Sequence, residues 1–220
     1  MRKALHTSLF LALVVVGSWG ASKPHAIAFG KWTSIKWYIG PEEQQAVDAK
    51  ARALFVDGKL KEYTLGTPHE ITERLFVVRR VLHVNDSLPH ESALRWSWQP
   101  GGWMLVDRAS GHVAQINLPE FDAFASAVSW YRDYAAYCGS AHDHTKVQAY
   151  VVQVGRRKPV LKKSVGEVSA QEDSPCPAPE WQRQPIRVTF EPKGTDKLTY
   201  SVRNHALEIV KEESDDEGEE

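Results

Sequence analysis

His142-Asp143-His144 is the most ligand-like cluster in the chain. On an extended backbone, side chains at i and i+2 share one side, so the imidazoles of His142 and His144 could face a single zinc or copper ion. A zinc centre needs at least a third protein donor. Neither a His-Glu-x-x-His helix nor paired Cys motifs supply one. With a third ligand from elsewhere, the cluster would suit a metal-dependent hydrolase acting on envelope material, with His142, Asp143 and His144 as metal or acid/base residues. Without one, it reads as a polar loop between strands.

Other chemistry is thinly represented. No Gly-x-Ser-x-Gly elbow presents a serine on a sharp turn. Gly101-Gly102 lacks the Lys-Ser/Thr that follows a phosphate-cradling loop, so no cofactor is implied. Asp107, Asp133 and Glu120 could supply paired carboxylates, but their separation is set by the fold. Aromatic residues are the richer resource: Trp32, Trp37, Trp96, Trp98, Trp103, Trp130 and Trp181 all follow the first twenty residues. Flat rings on an exposed sheet face can stack on sugars, which makes Trp96, Trp98 and Trp103 candidate glycan-binding residues. The competing expectation is that Trp96 and Trp98 fill a core otherwise poor in large side chains.

Two cysteines, Cys138 and Cys176, are the whole thiol complement. In an oxidising compartment they are expected to pair, closing a loop whose entropy is worth about 4 kcal/mol. Cys176 lies in Pro175-Cys176-Pro177-Ala178-Pro179, a stiff extended segment that cannot be helix or central strand. The bridge would tie that connector to the body.

The compartment is indicated by the start of the chain. Arg2 and Lys3 precede an apolar run, Leu9 to Val16, and small residues follow from Gly17 to Ala21. That order predicts a signal peptide over residues 1–21, cut after Gly20 or Ala21. The run is too short for a membrane span, so the expectation is an exported protein, periplasmic or extracellular, with no span after cleavage.

Net charge is −1 over 220 residues, but it is unevenly spread. Seven carboxylates crowd residues 212–220, leaving the body between the leader and this tail with a surplus of four positive charges. The tail has no apolar face to bury and is expected to be solvated and disordered. It could also fold back on the basic turn of Arg156, Arg157 and Lys158, with Lys162 and Lys163, shielding that patch until an anionic partner competes. Nucleic acid would be an odd partner outside the cell; a protein or polysaccharide is the expected one.

The pattern between residues 22 and 211 is that of one mainly β domain. Asp57-Gly58 between Leu54-Phe55-Val56 and Lys59 to Tyr63 is a two-residue type I′ hairpin signal. Leu94, Trp96 and Trp98 alternate with polar residues, and Pro100-Gly101-Gly102 reads as a turn into Trp103 to Val106. A second turn at Asp107 to Gly111 leads into His112 to Ile116. The design recurs at Val128 to Trp130, Tyr134 to Cys138 and Lys146 to Val154, and again at Val188 to Phe190, Leu198 to Val202 and Leu207 to Val210. Two short helices are also expected as options, at Pro41 to Ala53 and at Pro119 to Tyr137. For the second, strand from Ser129 onward is preferred. Arg79-Arg80, within Leu75 to Val84, is expected to end on a solvated strand face.

These phrases, above all Val128-Ser129-Trp130-Tyr131-Arg132-Asp133-Tyr134 followed by Val147 to Val154, resemble β-propeller blades. The resemblance covers about half of the chain and implies four-stranded meanders. The chain as a whole is similar to a family of exported bacterial proteins of unknown function, which implies a compartment and no chemistry. The fold expected is thus an antiparallel meander of hairpins, whether propeller-like, barrel or sandwich. The function expected is that of a non-enzymatic binding or scaffold module.

Overall fold

A computed structural model describes residues 24–39, 45–140, 146–167, 176–194, 196–203 and 206–209. Every regular element among them is a strand, and all pairing is antiparallel. Seven strands form the first sheet: β1 (Ile27–Phe29), β2 (Thr33–Ile39), β3 (Gln45–Val56), β4 (Lys59–Glu70), β5 (Leu75–Asn85), β6 (Trp96–Asp107) and β7 (Val113–Gln115). The order is β1-β3-β4-β5-β6-β7, with β2 also beside β3, and the sheet curls until β2 touches β6. It does not close into a barrel.

Two four-stranded meanders follow. One comprises β8 (Ser129–Tyr131), β9 (Tyr134–Ser140), β10 (Lys146–Gln153) and β11 (Leu161–Glu167); the other β12 (Glu180–Arg183), β13 (Ile186–Phe190), β14 (Leu198–Arg203) and β15 (Ala206–Ile209). Strands β9 and β10 are almost continuously apolar because both of their faces are covered. Ala136, Cys138, Val147, Ala149 and Val151 pack with Val188, Phe190 and Tyr200 of the last sheet. Ala135, Tyr137, Tyr150 and Val152 pack with Leu118 and with the half-buried Trp103, Ile116, Phe121, Val128 and Trp130. The rings of Tyr137 and Tyr150 stack with centroids 5.4 Å apart, and the Tyr137 hydroxyl donates to the Pro119 carbonyl at 2.7 Å. Burial pushes that phenol well above its usual pKa.

The Asp57-Gly58 hairpin forms as its residues dictate: φ is 50° at Asp57 and 74° at Gly58, and Val56 pairs with Lys59. Asp57 also accepts from the Ala26 amide and from His25, which ties β1 to this turn. Cys138 and Cys176 form a disulfide with a Cα separation of 6.0 Å, fastening the segment before β12 onto β9.

Two expectations are corrected, and the choice between helix and strand after Pro119 falls to the preferred strand from Ser129. Pro100-Gly101-Gly102 is no turn but the middle of β6, where Pro100 pairs with Val81 and Trp103 with Arg79, one extra residue lying on the β6 side. Proline is tolerated there because it sits at a bulge, on a stretch of β6 whose ladder pairing is with β5 alone. Residues 45–53 are strand, not helix, because Ala49 and Ala51 alternate into the core against Ile35 and Leu65. Between Pro119 and Tyr137 the chain makes one helical turn, Ser126 N–H to the Asp122 carbonyl at 2.8 Å, and stops. Glu120, at φ 52°, is incompatible with a helix running through it. The leader, residues 41–44, His142, Asp143, His144 and the acidic tail lie outside the described residues.

Replacing Cys138 and Cys176 together by Ser should lower unfolding stability by about 4 kcal/mol in denaturant titration, the value of the closed loop. Asp107 offers a pH test. Its carboxylate is held well below the usual range, first by the Arg74 guanidinium, with Ser110 and the Ala109 amide adding to this. A depressed folded pKa gives stability that is present above the unfolded value near 4 and lost as pH falls through the folded one. Asp107→Asn should therefore reduce stability at neutral pH and flatten its decline on acidification, read from unfolding midpoints across that range.

Candidate binding site

Residues paired directly across strands lie on the same face of a sheet. One such row runs Thr33–Ala51–Leu65–Arg79–Trp103, and the next Ala53–Tyr63–Val81–Pro100. Beyond them His83 pairs with Trp98 and Asn85 with Trp96, while Ile35 and Trp37 occupy the same face of β2 opposite Ala49 and Val47. The pairings bring five of the chain's large aromatics to one curled surface. Ile35, Ala51, Leu65 and Val81 form its buried floor, with Trp37, Ala49, Tyr63 and Trp98 packed over it.

At one end this surface opens into a groove of about 490 Å³ lined by Trp32, Trp37, Ala49, Lys50, Leu65, Gly66, Thr67, Arg79 and Trp103. Three of its nine lining residues are tryptophans. Trp32 is 45% exposed, and the Arg52 guanidinium lies 4.4 Å from its ring and 3.9 Å from that of Phe29, fixing the Trp32 plane by cation–π contact. Trp103 is held edge-on by Trp130 at 5.3 Å, and its buried Nε1 finds no acceptor among the described residues. Arg79 donates to the Ala123 carbonyl, and burial pushes its guanidinium below its usual pKa.

At the other end the aromatic rings continue as a stack. His83 lies 4.1 Å from Trp98 and 5.0 Å from Trp96, and Tyr63 meets Trp98 edge-on at 5.1 Å. Trp96 is 55% exposed, so the expectation of a core filler is corrected for it. Trp96 opens β6 directly after the loop from Asp86 to Arg95, and its one described ring contact is with His83. Trp98 is half-buried and packs against the floor.

The other sequence-derived candidates fall elsewhere. Arg156 and Arg157 line a separate cleft of about 500 Å³ between β7 and the end of β10, with Gln115, Asn117 and Gln153, while Lys158 is exposed beside it. A third, more polar hollow lies where the sheets meet, among His69, Glu70, Trp130, Tyr131, Arg132 and Arg183. Among the described residues no three His, Cys, Asp or Glu side chains gather as metal ligands. No helix among them is long and apolar enough to cross a membrane.

Trp32, Trp37, Lys50 and Arg79 were not singled out as a site by sequence reasoning, and Arg79 is not on a solvated face. The alternation Thr33-Ile35-Trp37 is a readable signal for one face of β2. The convergence with β5 and β6 depends on register, which a single sequence does not carry. Comparison with family models, with curated proteins and with solved structures returns no match. The site rests on its own geometry.

A Cβ at Gly101 would stand 3.1 Å from both Cβ and the carbonyl oxygen of Arg80. Gly101→Ala should therefore push β6 from β5 and cost about 1–3 kcal/mol. Denaturant unfolding gives the loss, and a shift in tryptophan emission reports the displaced Trp103.

Proposed function

We propose that the chain is an exported, non-enzymatic binding module that takes a polysaccharide on the tryptophan-bearing face of its seven-stranded sheet. The observation that carries this reading is the groove walled by Trp32, Trp37 and Trp103, one of whose rings is substantially open to solvent and held in plane by Arg52. Sugar rings present flat C–H faces that stack on indole, and an indole already fixed loses little freedom on binding. Trp37, Leu65, Arg79 and Trp103 stand on paired strands and Trp32 immediately precedes one, so the platform is rigid before the ligand arrives.

Export is supported by the Cys138–Cys176 disulfide, since such bridges persist in oxidising compartments. The leader-like residues 1–21 agree with it. A second exposed aromatic, Trp96 beside His83 and Trp98, lies on the same face and favours a polymer over a single sugar.

Soluble plant and bacterial polysaccharides, titrated while tryptophan emission is followed, should reveal at least one ligand that retards the protein in affinity electrophoresis. Trp32→Ala, an exposed change that spares the core, should weaken that binding about tenfold or more. If no polysaccharide alters the emission, or if Trp32→Ala and Trp37→Ala both bind as the parent does, the reading fails.

A further inference from the structure

Four arginines of this sheet and its turns are paired with carboxylates, while two on its strands, Arg52 and Arg79, have none among the described residues, and Arg52 lies instead over the rings of Phe29 and Trp32. Arg74 holds Asp107, Arg80 holds Glu62 at 2.8 Å, Arg95 holds Asp86 at 3.4 Å and Arg108 grips Glu70 through two bonds of 2.8 Å. Arg79, the immediate neighbour of Arg80, faces the other side and has no carboxylate among the described residues. Its one described acceptor is the Ala123 carbonyl, and its Nε is shut off from solvent without a partner. A guanidinium carries five N–H donors and stays charged. Holding it half-buried against Leu65 and Trp103 without counter-charge is unfavourable, and a Met there would avoid the cost.

The rest of the groove points the same way. Of its nine lining residues two are cations, Arg79 and Lys50, and none is Asp or Glu. A neutral sugar would leave Arg79 uncompensated and would strip water from it. An anionic one would turn that cost into a charge-assisted bond in a partly dry setting.

We infer that the groove selects an acidic polysaccharide, with a sugar ring stacked on the indoles and its anionic substituent on Arg79. This rests on the polysaccharide reading above and adds the ligand's charge. Arg79 is the specificity-determining contact, because it is inside the groove. Lys50, exposed on β3, contributes attraction at longer range that salt screens.

The test uses the full chain and three polymers: polygalacturonate, a sulfated galactan and a neutral galactan. At low ionic strength polygalacturonate or the sulfated galactan should bind at least about tenfold more tightly than the neutral polymer, the worth of one charge-assisted bond. Which of the two binds identifies the substituent as carboxylate or sulfate ester. Arg79→Met should abolish that preference while leaving the thermal midpoint unchanged or higher, and Lys50→Gln should reduce it severalfold and weaken its salt dependence. If the neutral galactan binds equally well, the polysaccharide reading stands and this inference falls. Binding of an acidic polymer that Arg79→Met does not weaken also overturns it. Should no polysaccharide of any charge bind, both fall together.

Discussion

Between the pairs Val81–Pro100 and Arg79–Trp103, β6 contains one more residue than β5. That single irregularity determines which side chains can act together. Side chains alternate along a strand, so in an unbroken β6 Trp103 would share a face with Gln99 and Ser97, away from Trp98 and Trp96. The extra residue resets the alternation and returns Trp103 to the face of the other two indoles. It also sets Trp103 beside Arg79, and hence an indole beside the cation that the groove contains. Pro100 and the two glycines make the bulge possible: one cannot donate to a ladder, and a Cβ at Gly101 would stand only 3.1 Å from Arg80.

The rigidity of this arrangement comes from the sheet next to it. Strands β9 and β10 are covered on both sides, and the layer nearer the groove includes Trp103 and Trp130 as well as Tyr137 and Tyr150. Trp103 thus belongs to two structures at once, a wall of the groove and the edge of a core. The Ala123 carbonyl that receives Arg79 lies on the connector between β7 and β8, whose turn is closed by Ser126 on Asp122. Groove and core share their supports, so the groove is shaped by folding itself and the binding surface requires no rearrangement to exist. The opposite face of the sheet is filled by Leu54, Phe76, Val78, Met104 and Val106 further along the strands, which is how one sheet serves both a core and an open surface.

Much of the fold was readable from local chemistry. Asp57-Gly58, the turn from Asp107 to Gly111 and the meanders of the second half all formed where residue types demand them, because a hairpin is specified by the few residues at its bend. Pro100-Gly101-Gly102 misled because turn residues are also bulge residues. Gln45 to Ala53 misled because alanines and charges suit a helix until a partner strand claims the alternate positions. The site was less legible. Trp96, Trp98 and Trp103 were visible as ring-bearing residues, but Trp32, Trp37 and Arg79 join them only through the pairing of strands separated by up to about seventy residues.

Electrostatics gives that pairing its chemical meaning. Arg79 and Arg80 are adjacent, and a strand sends them to opposite faces. Arg80 meets Glu62 at 2.8 Å, a pair contained wholly within β4 and β5. On the other face the same neighbouring strand offers Leu65 across from Arg79, and β6 offers Trp103. An apolar residue at 79 would satisfy those neighbours at no electrostatic cost, and the surrounding sheet is built largely of such residues. A cation at that position makes sense in terms of something other than the stability of the chain, and the open side of Arg79 is the groove.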